Sequence, residues 1–222
     1  MLRIILLFAI AVTGIIISYN IMTPDKKHDL KVYNPIDVNP EMVDSLMQRK
    51  GYGHKIGDFS FENQEGDLIS SQDLDGNIYV VEYFFTTCGT ICPKMNKNMQ
   101  VVQKAFADDK NFKILSFTVN PEIDTVEQMK RYADAHGAIS GQWHFLTGEK
   151  AKLYDLARTS FFVLKPAEAQ NLGDAGSDFI HTNNFVLVDK QKRIRGYYDG
   201  TSTKEVNHLI EDIQILLDEK IN

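Results

Sequence analysis

Apolar residues recur along this chain with two periods, and the two alternate. Residues 78–85 (Ile-Tyr-Val-Val-Glu-Tyr-Phe-Phe) form an apolar, β-branched and aromatic run of the length of a central strand. After it, Met95, Met99, Val102 and Phe106 recur at helical spacing. Residues 112–119 read as a second central strand, 121–124 as a turn, and 125–136 as a helix with Val126, Met129 and Ala133 on one face. A short strand over 143–146, a helix over 149–158 and a strand over 161–164 follow, then a loop over 165–178 rich in Ala, Gly and Asp. Residues 184–188 and 194–198 bracket Asp189-Lys190-Gln191-Lys192 and predict a hairpin. The last helix, over 203–220, carries an apolar stripe of Val206, Leu209, Ile210, Ile213, Leu216 and Leu217. Upstream, Phe59 and Phe61 alternate with polar residues ahead of the turn signal Asn63-Gln64-Glu65-Gly66, a hairpin pattern, and Asp75-Gly76-Asn77 is a second turn. Strands alternating with helices, then a hairpin and a helix, predict an α/β sandwich around a mixed sheet.

The N-terminal pattern is different. Residues 4–22 are apolar and uncharged, long enough to span a bilayer as one helix. The run ends in Ser-Tyr-Asn-Ile-Met with no small-x-small cleavage site, which favours an uncleaved transmembrane anchor over a signal peptide; no cysteine follows it to carry a lipid. Arg3 lies on one side and Lys26, Lys27 and Lys31 on the other, so a strict positive-inside count would keep the domain in the cytoplasm. Long domains translocate regardless of such charges, and the chemistry described below favours export. Pro24, Pro35 and Pro40 mark a tether, with a short helix over 41–49. The expected organisation is a membrane anchor over 1–22, a tether over 23–53 and a folded domain over 54–222.

Composition adds limits. Charged residues at 24% and hydrophobic ones at 43% are those of an ordinary folded protein rather than a disordered one. A net charge of −6, with no Lys/Arg cluster interleaved with aromatics, points away from nucleic acid as a partner. Two cysteines are too few for a disulfide framework, so the core must carry the stability.

Those two cysteines, Cys88 and Cys92, fall where the strand over 78–85 gives way to a helix opening near Pro93. A helix start leaves N–H groups unpaired and carries positive partial charge, and both stabilise a thiolate. Pro93 fits the first turn, where its missing N–H costs nothing. Two thiolates four residues apart can hold one soft metal ion or close a disulfide. A structural staple is the plainer alternative, but closing so short a loop removes little chain entropy. Two thiolates alone are an incomplete zinc site, so a third ligand is expected from elsewhere. Of the six histidines, His28 and His54 precede or open the domain, His136 ends a helix, His144 follows Trp143 in a strand, and His208 lies on the polar side of the last helix. His181 follows the long loop and precedes a central strand, a place from which a side chain can be projected into a site; its plainer reading is a solvated or capping histidine. Met95 and Met99 are soft thioethers, but their spacing with Val102 and Phe106 makes them core residues first. Asp73, Glu122 and Asp124 read as turn and cap residues. From the residues alone, copper and zinc are not distinguished.

Four segments in order carry a resemblance. Phe84-Phe85-Thr86-Thr87-Cys88-Gly89-Thr90-Ile91-Cys92-Pro93 resembles the CxxxCP site of the SCO/SenC proteins, and Thr118-Val119-Asn120-Pro121-Glu122-Ile123-Asp124-Thr125 resembles their VDPExDT segment. Trp143-His144-Phe145-Leu146-Thr147-Gly148 resembles their W…LTG segment, and His181-Thr182 followed by Phe185-Val186-Leu187-Val188-Asp189 resembles the strand bearing their distal histidine. The resemblance implies a thioredoxin-like three-layer sandwich and a copper site of Cys88, Cys92 and His181. It implies a metallochaperone rather than an enzyme, helping to assemble the binuclear copper centre of cytochrome c oxidase subunit II. Its partners would be that subunit or a similar acceptor, other copper chaperones, and the membrane through the N-terminal helix. The implied placement is the inner membrane, with the domain in the periplasm. Asn120 departs from the pattern, which more often has Asp there. The alternative function is a thiol–disulfide oxidoreductase that reduces the oxidase's copper-site cysteines, with Cys88 attacking and Cys92 resolving. A copper sensor would use the same residues.

Overall fold

Period-2 patterning puts even and odd residues of a strand on opposite faces, and a strand apolar on both must be covered on both. Residues 78–84 meet that condition, and the fold is built around them. The computed structural model describes residues 12–14, 18, 30–43, 45–164 and 182–219. Short 3-10 turns at Pro35–Asp37 and Pro40–Met42 lead to helix α1 (Ser45–Lys50). A separate antiparallel hairpin, β1 (Ser60–Glu62) and β2 (Leu68–Ser70), precedes the main sheet. That sheet contains β3 (Ile78–Phe84), β4 (Phe112–Thr118), β5 (Trp143–Leu146), β6 (Asn184–Val188) and β7 (Ile194–Asp199), in the order β5-β4-β3-β6-β7. Strands β3, β4 and β5 run parallel, whereas β6 is antiparallel to β3 and to β7, so the sheet is mixed as expected. The helices are α2 (Cys92–Ala105), α3 (Val126–Ala135), α4 (Lys150–Thr159) and α5 (Thr203–Asp218).

Two cores result, one on each face of the sheet. Ile78, Val80 and Phe84 of β3, with Ile114, Phe185 and Leu187, pack against Met95, Met99 and Val102 of α2, Met129 and Ala133 of α3, and Leu209 and Ile213 of α5. The odd residues Tyr79, Val81 and Tyr83, with Leu115, Phe117 and Val186, pack against Leu153 and Ala157 of α4 and against Phe59 and Phe61 at the hairpin. This is the three-layer α/β arrangement expected from the alternating periods. Met95 and Met99 are 1% and 0% exposed, in keeping with their reading as core.

One expected element is absent. The sequence predicts a strand over 161–164, yet these residues wrap around the C-terminal end of α4. Phe161 N–H donates to Leu156 O, Val163 N–H donates to Ala157 O, and Phe162 takes φ 53°. Their apolar character reflects burial of Phe161, Phe162 and Val163 in the core, without strand pairing. The expected anchor falls almost wholly outside the described residues; among those described, no helix is long and apolar enough to cross a membrane. The loop over 165–178 and His181 also lie outside them.

Candidate metal centre

The carboxyl ends of parallel strands are where α/β folds bring loops together over a site. Strand β3 ends at Phe84, and residues 85–91 turn the chain back into α2. Within this turn Cys88 N–H donates to Phe85 O (3.2 Å), while Lys94 and Met95 N–H both donate to Ile91 O (3.0 Å each). The helix cap is Ile91, whose side chain has nothing to offer the first turn, and Pro93 occupies that turn without needing a partner. The backbone N–H groups left for sulfur are those of Cys92, at the start of the helix, and of Thr90 in the loop. Both cysteines are free thiols, Cys88 half-buried between the exposed Thr87 and Gly89 and Cys92 only 4% exposed.

The two sulfurs are not equivalent. Burial pushes the Cys88 thiol up, but hydrogen bonds from the Cys92 thiol and from the backbone N–H groups of Thr90 and Cys92 outweigh it and bring it down to about 7. Thr90 Oγ1 lies 3.7 Å from Cys88 Sγ. Burial, reinforced by the hydrogen bond to Cys88, pushes the Cys92 thiol up to about 12. A helix start alone would lower both, so the expectation of two low-pKa thiols holds for Cys88 and fails for Cys92, where burial wins.

Two acidic residues lie under or beside the loop. Glu82 sits on the even face of β3, fully buried; Ser116 Oγ donates to its Oε1 (2.6 Å), Trp143 Nε1 donates to Ser116 Oγ (2.8 Å), and Oε2 has no partner among the described residues. Burial raises its carboxyl to about 7, with the Ser116 hydrogen bond pulling the other way. Asp124, expected as a turn or cap residue, is instead fully buried and receives Thr86 N–H, Thr86 Oγ1–H and Thr118 Oγ1–H. Sequence reasoning missed both. Glu82 carried a signal, being the one charge in an unbroken apolar strand; Asp124 carried only its place in the VDPExDT-like segment, because its partners come from other elements.

The remaining candidates are dispersed. His54 contacts Ser160 O (2.8 Å) and the Phe162 ring, His136 caps α3 and stacks on Tyr132, and His144 is buried beside Asn63. His208 is half exposed near Glu205, Asp73 accepts from Ser70 in a turn, and Glu122 pairs with Lys150. Among the described residues, no group of three or more His, Cys, Asp or Glu side chains is arranged to hold a metal ion. The donors at hand for a cation here are thus Cys88 and Cys92, two soft sulfurs fit for a soft metal.

A family model described as SCO1/SenC matches residues 47–218. The SCO1 protein homolog of Bacillus subtilis (strain 168) is 31% identical over 163 residues, covering 72% of this chain and 82% of that protein. A solved structure described as revealing a disulfide switch in BsSco, a member of the Sco family of cytochrome c oxidase assembly proteins, is 29% identical. It superposes with a TM-score of 0.63 over 75% of this chain and 95% of that one. The structure of Bradyrhizobium japonicum ScoI with copper bound has a TM-score of 0.57 over 74% of this chain and 99% of that one; at 19% identity the likeness is one of fold.

Proposed function

From the premise that this chain belongs to the SCO1/SenC family, we propose that it is a membrane-anchored copper metallochaperone serving assembly of the binuclear copper centre of cytochrome c oxidase subunit II. The observation that carries this reading is the pair of unequal free thiols at the start of α2, at the carboxyl ends of the parallel strands. A similar protein described as a member of the Sco family of cytochrome c oxidase assembly proteins supports the destination, and a protein of the same fold, solved with copper bound, is consistent with the cargo. Copper is the cargo. Cys88, already partly thiolate near neutral pH, makes the first bond, and Cys92 adds the second when its proton leaves. His181 supplies a neutral imidazole as third donor. Three protein donors leave room for an acceptor's thiolates and imidazoles to take the metal by stepwise exchange. The anchor over 1–22 places the domain at the inner membrane facing the periplasm, beside the oxidase and within reach of other copper chaperones.

A second reading is favoured by the same asymmetry. A thiol near 7 beside one near 12 is the arrangement of an attacking and a resolving cysteine, so the chain would also reduce a disulfide of its target. Mixing the copper-loaded full chain with the reduced, copper-free domain of subunit II separates the two. The metallochaperone reading predicts that copper moves to the acceptor without oxidation of Cys88 and Cys92. Retention of copper, together with electron transfer to an oxidised acceptor through a Cys88 mixed disulfide trapped by Cys92→Ser, would replace it with the reductase.

A further inference from the structure

A buried carboxylate needs partners enough to offset its lost hydration, and those partners show what it holds. Asp124 is 0% exposed and stands between the last residue of β4 and the first turn of α3. Its Oδ1 accepts Thr86 Oγ1–H (2.5 Å) and Thr86 N–H (3.2 Å), and its Oδ2 accepts Thr118 Oγ1–H (2.5 Å). Its backbone oxygen accepts Thr147 Oγ1–H (2.8 Å) from just beyond β5, and its N–H donates to Asn120 O (2.9 Å). One residue therefore ties together the carboxyl ends of all three parallel strands. Thr86 is held a second time by Gln128 Nε2 of α3, which donates to its hydroxyl (3.3 Å).

Of the three strand ends, only that of β3 runs on into the cysteines. Thr86 is two residues before Cys88, while Thr87, Gly89 and Thr90 are exposed and offer the loop no packing. The downstream end of the loop is fixed where Cys92 enters α2. Between those points Cys88 and Ile91 rest against the even-face core, and Thr86 is the residue whose hydrogen bonds reach out to Asp124 and α3. We propose that Asp124 is the positioning residue of the cysteine loop: its carboxylate, through the hydroxyl and N–H of Thr86, fixes where Cys88 stands relative to the first turn of α2. A charge-assisted pair of hydrogen bonds to one threonine fixes direction as well as distance, which an apolar contact would not. The inference rests on Cys88 and Cys92 being the working pair, but it concerns the metal-free chain and is tested without copper.

The test is the rate at which iodoacetamide alkylates Cys88 at pH 7 in the full-length, reduced, metal-free protein, read on the Cys88 peptide by mass, with urea stability measured alongside. Thr86→Val removes the hydroxyl that Asp124 holds; Thr118→Val removes from the same carboxylate a hydroxyl that belongs to β4 rather than to the cysteine loop; Thr86→Ser keeps the bond. The expected result is slowing of about three- to tenfold in Thr86→Val, because the thiolate loses the N–H groups aimed at it. Thr86→Ser and Thr118→Val should stay near the parent rate, although Thr118→Val is destabilised to a similar extent. An unchanged or faster rate in Thr86→Val, or slowing that Thr118→Val or Thr86→Ser shares equally, overturns the proposal and leaves Asp124 a purely structural tie. A failure to bind copper would not change any of these rates.

Discussion

Burial and hydrogen bonding act in opposite senses on two chemically identical side chains four residues apart. Cys88 gains four hydrogen bonds to its charged form, two each from Cys92 and Thr90, and Cys92 gains none that outweigh its burial. Alkylation followed against pH should therefore give a single midpoint near 7 belonging to Cys88, with Cys92 unreactive through pH 9; two equal rates would contradict this. Glu82 offers a second test at this scale. Its carboxyl is raised from 4.5 to about 7 on folding, so its contribution to stability is fully present below about 4.5 and is lost as pH rises through about 7. At about 1.4 kcal/mol per pH decade the loss is of the order of 3 kcal/mol. Glu82→Gln should be the more stable protein in urea at pH 8, and the difference from the parent should shrink as the pH falls to 4.5. A constant difference would mean that Glu82 does not titrate in this range. The cysteines were legible in the sequence because a strand–helix junction is a local feature. The role of Asp124 was not, since Pro-Glu-Ile-Asp reads as a turn until the β3–β4 register sets Phe84 opposite Thr118 and brings Thr86 to the carboxylate.

The element that matters most is the unit of β3, the cysteine loop and α2. Strand β3 is buried along its whole length, and α2 lays Met95, Met99 and Val102 on its even face. Met99→Ala would leave a cavity in the middle of that contact, at an expected cost of about 2–5 kcal/mol. A urea titration should show it as a lower midpoint, with Cys88 alkylation in the folded protein near the parent rate; a loss under about 1 kcal/mol would mean that α2 is not held by this face. Most elements could be read from periodicity because each has one dominant period. Residues 161–164 could not, because four consecutive apolar residues suit a strand and a buried helix exit equally well. The left-handed Phe162 and the bonds back to α4 decide the matter, and both are tertiary in origin.

At the scale of the whole molecule, the three-layer fold brings the carboxyl ends of β3, β4 and β5 and the cysteine loop to the same end of the sheet. The apolar patterning carried the mixed sheet and its helices, and the order of four motifs carried the family that residues 47–218 match. A third donor to the cysteines is a different matter: sequence position singled out His181, and no histidine among the described residues joins the pair. The measurement that bears most directly on the function is a Cu(I) competition titration of the reduced full-length protein against a chelator of known affinity. The same titration is made on Cys88→Ser, Cys92→Ser and His181→Ala. The account predicts one tight site per chain, lost in either cysteine variant and weakened at least tenfold in His181→Ala, with folding intact in all three. Equal affinity in the parent and the cysteine variants, or no specific copper binding by a folded parent, would contradict it.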